Sequence, residues 1–444
     1  MGHNTEFPRV LVISNNCFSK TDSNGRTLGN FFAGWPKDRL AQFYLQNATP
    51  DFEVCHNYFR VTDVQAVKAL FGKRAGGVVD AAEVENAVLP SVGGVAGGQK
   101  RNAFTMLARN AVWRLGAWKR SGFYAWADAF APQAVLLQAG DNAFMFALAR
   151  KMADRYGVPL FIYNSEDYYF KKFDYFHAKG LAHWCYPLFY RWFCREFRRT
   201  QRRTAHNVYI CDGLKEAYAA DFDTPSTALY TATELRPFPP KETADGFTVS
   251  YLGNFGFSRY ESLVEVAEVL QSLSPNYYLD VYGKLPNDTV RAAFDGCKGI
   301  RYKGFLSYDR VTEVMANSDL LIHVEKDTPF NRETLRFGFS TKIADSLACG
   351  RCFLLYAPET VECYRYIERN ELAYTVNSKE TLVETLRLLA QDATAREKYL
   401  ANAQAAANER HSMEKNREIF AAIIKETVGG TDEGATSELR LRKR

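Results

Sequence analysis

GFSTKIADSLACGRCFLLYAPE, residues 338–359, reads as a short helix running into a buried strand. Ser340 or Thr341 can cap the helix start, because a hydroxyl there accepts a backbone N–H that the first turn leaves open. Lys342 follows at once, and Asp345 shares its face one turn on. Gly350 supplies the left-handed residue on which helices end, and CFLLY at 352–356 is apolar enough for a covered strand. Open N–H groups, the helix dipole and a lysine together favour an anion. A capped helix with a solvated Lys342–Asp345 pair accounts for the same residues without any ligand. Cys349 and Cys352 sit at the helix end, whereas a reactive Cys-x-x-Cys belongs at a helix start, and no second pair is spaced for zinc. The two thiols read as incidental.

Outward from this stretch the same grammar repeats. RVLVIS (9–14), AVLLQ (134–138), VPLFIYN (158–164) and NVYIC (207–211) are short apolar runs separated by helical patterns. FTVSYLGNFGFSR (247–259), YYLDVYG (277–283), IRYKG (300–304), DLLIHV (319–324) and CFLLY form a second series. Strands of this kind alternating with helices mean parallel sheets covered on both faces. The expected fold class is therefore α/β, with two Rossmann-like domains facing across a cleft. Residues 1–240 form the first domain, with a mobile Gly/Val/Ala-rich insertion at about 71–100. Residues 241–428 form the second, ending in one long helical pattern from about 393, and 429–444 reads as a disordered tail with a basic end. The proline-rich stretch 234–246 reads as the linker.

Bulk composition narrows the classes. Hydrophobic content of 47% over 444 residues is ample for two cores, and a net charge of +5 is too mild to argue for nucleic acid. Nine cysteines scattered behind a start without an apolar leader suggest reduced thiols in the cytoplasm. No run of ~18 uncharged apolar residues suggests a membrane span.

TKIADSLACG followed by an apolar strand resembles the donor-site segment of GT-B-fold glycosyltransferases, in particular the large retaining family four, also called group 1. The likeness extends in order through YLGNFG (251–256), LDVYGK (279–284) and YKGFLSYDRVTEVMANSDLLIHV (302–324), covering about 247–400; the first half resembles the family only in architecture. The resemblance implies a GT-B architecture and a nucleotide-diphosphate sugar as co-substrate, with no metal and no further cofactor. It implies that Gly253, Asn254, Gly256, Ser340, Thr341 and Asp345 bind the donor, with Asp345 on the ribose and Lys342 on the diphosphate. Arg259 stands at the position of a phosphate-binding base. The family's paired glutamates are incomplete: Asp345 replaces the second, Phe337 occupies the place of the first, and Glu333 or Glu325 remains for the sugar end. Arg259, Lys342 and Glu333 make up the expected catalytic set.

Acceptor binding is expected in the first half. SNGRTLGN (23–30) reads as a loop after the first strand, offering Asn24, Gly25 and Arg26, or simply a helix-entry turn with a surface arginine. QAGDN (138–142) brings Asp141. YNSEDYYFKKF (163–173) brings Glu166 and Asp167 for sugar hydroxyls, or a carboxylate that caps its own loop. HAKGLAHWCYPLFYRWFCREFRRTQRR (177–203) mixes aromatics with arginines. It fits a helix packed on the first domain or one lying on an anionic membrane, and no recognition motif supports nucleic acid. The sequence thus reads as a glycosyltransferase acting on a glycan or lipid-linked acceptor at the inner face of the membrane. A catalytically silent GT-B subunit and a GT-B sugar-nucleotide epimerase are the alternatives.

Overall fold

A computed structural model of the chain describes residues 7–20, 22–81, 101–241 and 246–441. It divides into two compact units, Met1–Leu229 with Asn416–Arg444, and Tyr230–Lys415.

The first unit is built on an eight-stranded sheet. Its strands are β1 (Val10–Ser14), β2 (Leu40–Tyr44), β3 (Asn57–Arg60), β4 (Gly77–Val79), β5 (Ala134–Gln138), β6 (Leu160–Asn164), β7 (Thr204–Tyr209) and β8 (Ser226–Ala228). They lie in the order β4-β3-β2-β1-β5-β6-β7-β8, all parallel except that β4 runs against β3. Val10 of β1 pairs with Leu40 on one side and Ala134 on the other. Every residue of β1, β2, β5 and β6 is buried, which is why their sequences are mostly apolar.

The second unit carries six parallel strands, β9 (Val249–Leu252), β10 (Leu279–Tyr282), β11 (Ile300–Gly304), β12 (Leu320–Val324), β13 (Cys352–Tyr356) and β14 (Tyr374–Val376). Their order is β11-β10-β9-β12-β13-β14. Both sheets therefore reverse direction next to their first strand, between β1 and β5 and between β9 and β12. In open α/β sheets that reversal is where ligands bind, beyond the carboxyl ends of the strands.

The boundaries depart from the expected ones. The stretch read as a linker belongs to the second unit: Cys349 O accepts from Phe238 N at 3.0 Å, and Pro239 O accepts from Arg351 Nη2 at 2.7 Å. Beyond it, the expected long helix is broken at His411 and Ser412 into Leu400–Arg410 and Met413–Leu441. His411 is buried there, its Nδ1 giving its proton to Thr231 O at 2.8 Å, and Thr233 forms a bridge with Ser412. The last helix runs to Leu441 where a disordered tail was expected. It joins the first unit because Phe420, Ile424 and Val428 are core residues, with Phe420 stacked on Phe31 at 4.9 Å. Of the expected mobile insertion, 77–79 is strand β4, and 82–100 lies outside the described residues.

Candidate active site

At the reversal of the second sheet, the loop after β9 meets the end of β12. His323 and Glu325 are two apart at the tip of β12, so they project to one side. Both are buried, as is Arg259 at the start of the helix Arg259–Leu273. The guanidinium grips Glu325 with two bonds, Nε to Oε2 at 2.9 Å and Nη2 to Oε1 at 2.6 Å. Its third arm, Nη1, donates to Asn254 Oδ1 at 2.6 Å. His323 Nε2 donates to Glu325 Oε1 at 3.1 Å. Burial pushes the Glu325 carboxyl up, but His323 and Arg259 outweigh it and hold the group below its ordinary value. Burial lowers the His323 imidazole despite that carboxylate, and the charges of Arg259 and Lys342 add to the effect. Lys342 thus stands within electrostatic reach of this cluster.

The loop itself is tightly determined. Phe257 and Ser258 both hold left-handed backbone, at φ 57° and 55°. Two such residues in a row are strained, and strain of this kind persists only where the surroundings enforce it. Asn331 Nδ2 does so by donating to both Phe257 O and Lys326 O at 2.8 Å. A side chain on Gly283 would sit 2.0 Å from Gly253 O, so the glycine after β10 is what lets the loop lie down. Across the reversal, Ser340 takes the N-cap position of the helix Thr341–Ala348, but its hydroxyl makes no capping bond. No side chain caps this helix start, where the helix dipole favours an anion. Gly350 ends the segment at φ 71° as expected.

At the reversal of the first sheet lies a cavity of about 810 Å³, lined from the ends of β1, β5 and β6 and from the helices Asp63–Leu70 and Ala103–Leu115. Asn15, Asn16, Asn24, Gln138 and Asn142 give it carboxamides, and Asp63, Asp141 and Glu166 give it carboxylates. Arg109 donates to Asp63 Oδ1 (2.8 Å), Asn142 Oδ1 (2.5 Å) and Asn15 Oδ1 (3.2 Å). Asp141 Oδ2 accepts from Arg101 Nη2 at 2.5 Å and from the Tyr175 hydroxyl at 2.9 Å.

Residues 261–421 match the family model described as glycosyl transferase-like. The chain has the GT-B fold, and its second unit carries the glycosyl transferase-like segment. HepE of Anabaena, solved in complex with UDP, is similar over 94% of this chain and 100% of its own, with TM-score 0.62 and 11% identity. Sucrose-phosphate synthase of Thermosynechococcus elongatus matches over 95% and 99%, with TM-score 0.62 and 10% identity. The lipopolysaccharide outer core galactosyltransferase WaaB, in its apo form, matches over 94% and 99%, with TM-score 0.57 and 14% identity. No curated protein matches the chain in sequence. At these identities the solved structures establish the fold.

Within the second unit, Gly253, Asn254, Gly256 and Arg259 come together, with Lys342 close enough to act on His323. Asp345 is half-buried one turn further along the helix. Glu333 is exposed on the short helix Pro329–Thr334, and the carboxylate gathered into the cluster is Glu325. In the first unit, Asn24, Asp141 and Glu166 line the cavity, while Gly25, Arg26 and Asp167 do not. The loop expected at 23–30 is a helix, Ser23–Phe31, because Asp22 caps it by accepting from Gly25 N at 3.0 Å. Asp167 is committed to its own loop and to the Tyr218 hydroxyl, accepting from Tyr169 N at 2.9 Å, Phe170 N at 3.0 Å and Tyr218 at 2.8 Å.

His323, Asp63, Arg101, Arg109 and Gln138 escaped the sequence reading. Polar residues ending an apolar strand, as in LLIHVE and AVLLQ, are a usable signal for His323 and Gln138. Arg109 and Asp63 carry no such signal, since each looks like one more charge on a helix. Among the described residues no group of three or more His, Cys, Asp or Glu is placed to hold a metal ion.

Proposed function

We propose that this protein is a glycosyltransferase, moving a sugar from a nucleotide-diphosphate sugar held by the second unit to a hydroxyl of a glycan or lipid-linked acceptor held by the first. The observation that carries the reading is the set of fixed positive ends at the β9/β12 reversal: Lys342, Arg259 and the helix start at Thr341, whose cap residue Ser340 makes no side-chain bond. Bond cleavage leaves negative charge on the departing diphosphate, and preorganised cations and N–H groups stabilise it without moving. Lys342 and the amides behind Ser340 and Thr341 meet the phosphates. Arg259, held by Glu325, keeps Asn254 and the Gly253–Gly256 loop in place beside them. Asp345 accepts from the ribose hydroxyls. In this reading no metal is required, and the anomeric configuration is retained, as the family resemblance implies. HepE was solved with UDP, which makes uridine diphosphate sugars the first donors to try.

The acceptor reading places Asn24, Asp141 and Glu166 around sugar hydroxyls in the cavity of the first unit. The helix Tyr186–Gln201 adds a membrane contact. It turns Phe189, Phe193 and Phe197 into the core and leaves Leu188 (61% exposed), Arg191 and Arg195 outward, with Trp184 (80%) of the short helix Leu181–Trp184 before it and exposed Arg202 just past its end. Aromatic and aliphatic tips beside arginines suit an anionic lipid surface. No helix among the described residues is long and apolar enough to cross a membrane. We place the protein peripherally on the cytoplasmic face, in cell-surface polysaccharide or glycolipid synthesis.

The test is nucleoside diphosphate release from a panel of UDP-, GDP-, CDP- and ADP-sugars, with and without glycan and lipid-linked acceptors. Acceptor-dependent release from one donor is expected. Isomerisation of the donor without an acceptor points instead to an epimerase, and binding without turnover of any donor to a silent subunit.

A further inference from the structure

Two neighbouring helices of the first unit carry large apolar side chains outward. On Asp63–Leu70 the small Ala66 and Ala69 are the buried residues, while Val64, Val67 and Phe71, which follows the last turn, are exposed. Spaced i, i+3, i+7, these three share one face. On Ala103–Leu115 the buried side holds Met106, Asn110 and Trp113, and Phe104, Ala108, Ala111 and Leu115 run down the solvent side. That spacing sets four exposed apolar residues in one stripe, where a surface helix ordinarily places its charges. Phe71 is 79% and Leu115 72% exposed.

Both stripes enter the cavity. Val64 and Val67 line it from one helix, Ala108 and Val112 from the other, so one side of it is apolar. Asn15, Asn16, Asn24, Asp141 and Glu166 make another side polar. A ligand matched to both is an amphiphile, with hydroxyls among the carboxamides and carboxylates and a hydrocarbon chain along the valines. The far ends of the stripes are edged by cations. Lys73 and Arg74 follow Phe71, Arg114 and Arg120 flank Leu115, and all four are exposed. The turn Ala117–Ser121 packs on the helix Asp63–Leu70, so these cations stand on adjoining elements. Aromatic and aliphatic tips among lysines and arginines are the pattern of a surface that meets anionic lipid.

We infer that the ligand of this cavity is lipid-linked. Its sugar end lies among the polar residues, and its hydrocarbon chain runs along Val64, Val67, Ala108 and Ala111 toward Phe71 and Leu115, where it joins the bilayer. Naming that ligand the acceptor rests on the proposed function; binding of the chain does not.

Calorimetric titration of the full chain with methyl and octyl glucoside, galactoside and mannoside tests this, the octyl forms kept below their micelle concentrations. For at least one sugar the octyl form should bind at least tenfold tighter than the methyl form, because each methylene taken out of water adds to affinity. The double variant Val64→Asp, Val67→Asp should bind the two forms alike, and so should Ala111→Asp on the other helix. All three positions are exposed, so the variants leave the core intact. Equal binding of octyl and methyl forms by the wild type overturns the inference, as does silence from both or a tenfold gain that either variant keeps. A wild-type dimer that the Asp variants split, with no octyl gain, assigns the face to a second copy of the chain and overturns it too. Sugar transfer to a soluble glycan without any octyl gain removes the lipid link alone. An octyl gain lost in both variants, with no donor turned over, removes the proposed function and leaves the lipid site.

Discussion

Arg259 and Glu325 show how a single ion pair can set a loop. Neither group tolerates burial alone, and the attraction between them offsets desolvation only because the geometry is bidentate and His323 fills a further lone pair. Removing one partner leaves an uncompensated buried charge, which typically costs about 3–5 kcal/mol. We expect Glu325→Ala to lower stability by about that much, and Glu325→Gln, which keeps acceptor and donor atoms, by clearly less. Denaturant titration of the two variants measures the difference; equal and small losses would show that the pair holds nothing. Sequence reading reached Arg259 and Lys342 through their neighbours in the motif. It could not choose between Glu325 and Glu333, because burial at the tip of β12 is a property of the sheet and not of the local pattern.

Elements were legible where their apolar runs were continuous. The strands β1, β5, β6, β7, β9, β10, β11, β12 and β13 could be read from sequence; β2 and β3 were interrupted by polar residues, and β4, β8 and β14, three residues each, are too short to carry a period. The helix Ser23–Phe31 was hidden by its own Gly25 and Gly29. Gly25 is there for space and not for a bend, since a Cβ would fall 2.2 Å from Cys17 O. The helix Tyr186–Gln201 was read correctly as amphipathic, and its outer stripe carries the membrane proposal. Reversing Arg191, Arg195 and Arg202 to Glu should abolish co-sedimentation with vesicles containing phosphatidylglycerol while leaving binding to neutral vesicles unchanged. Binding of the wild type should also fall with added salt, because exposed charges are screened within about 10 Å at 0.1 M. Salt-insensitive binding, or none, would assign the stripe to solvent.

For the molecule as a whole, the sequence carried the two-sheet plan, and the proposed donor site falls at one sheet's reversal. It did not carry the route of the chain's end. Phe420, Ile424 and Val428 complete a core begun by Val10 and Phe31, and nothing local in a polar helix announces a partner that remote in sequence. The two sheets also differ in what their reversals offer. The second unit presents Lys342 beside a helix start without a side-chain cap; the cavity of the first is lined by carboxamides, carboxylates and two arginines. The proposed function stands on the second unit's holding the diphosphate of a sugar nucleotide. Calorimetric titration with the best-binding member of UDP, GDP, CDP and ADP, and with its parent nucleoside, tests it on the wild type and Lys342→Ala. The variant should lose at least tenfold for the diphosphate, about 1.4 kcal/mol, and nothing for the nucleoside. Equal losses for both ligands, or none for either, would contradict it.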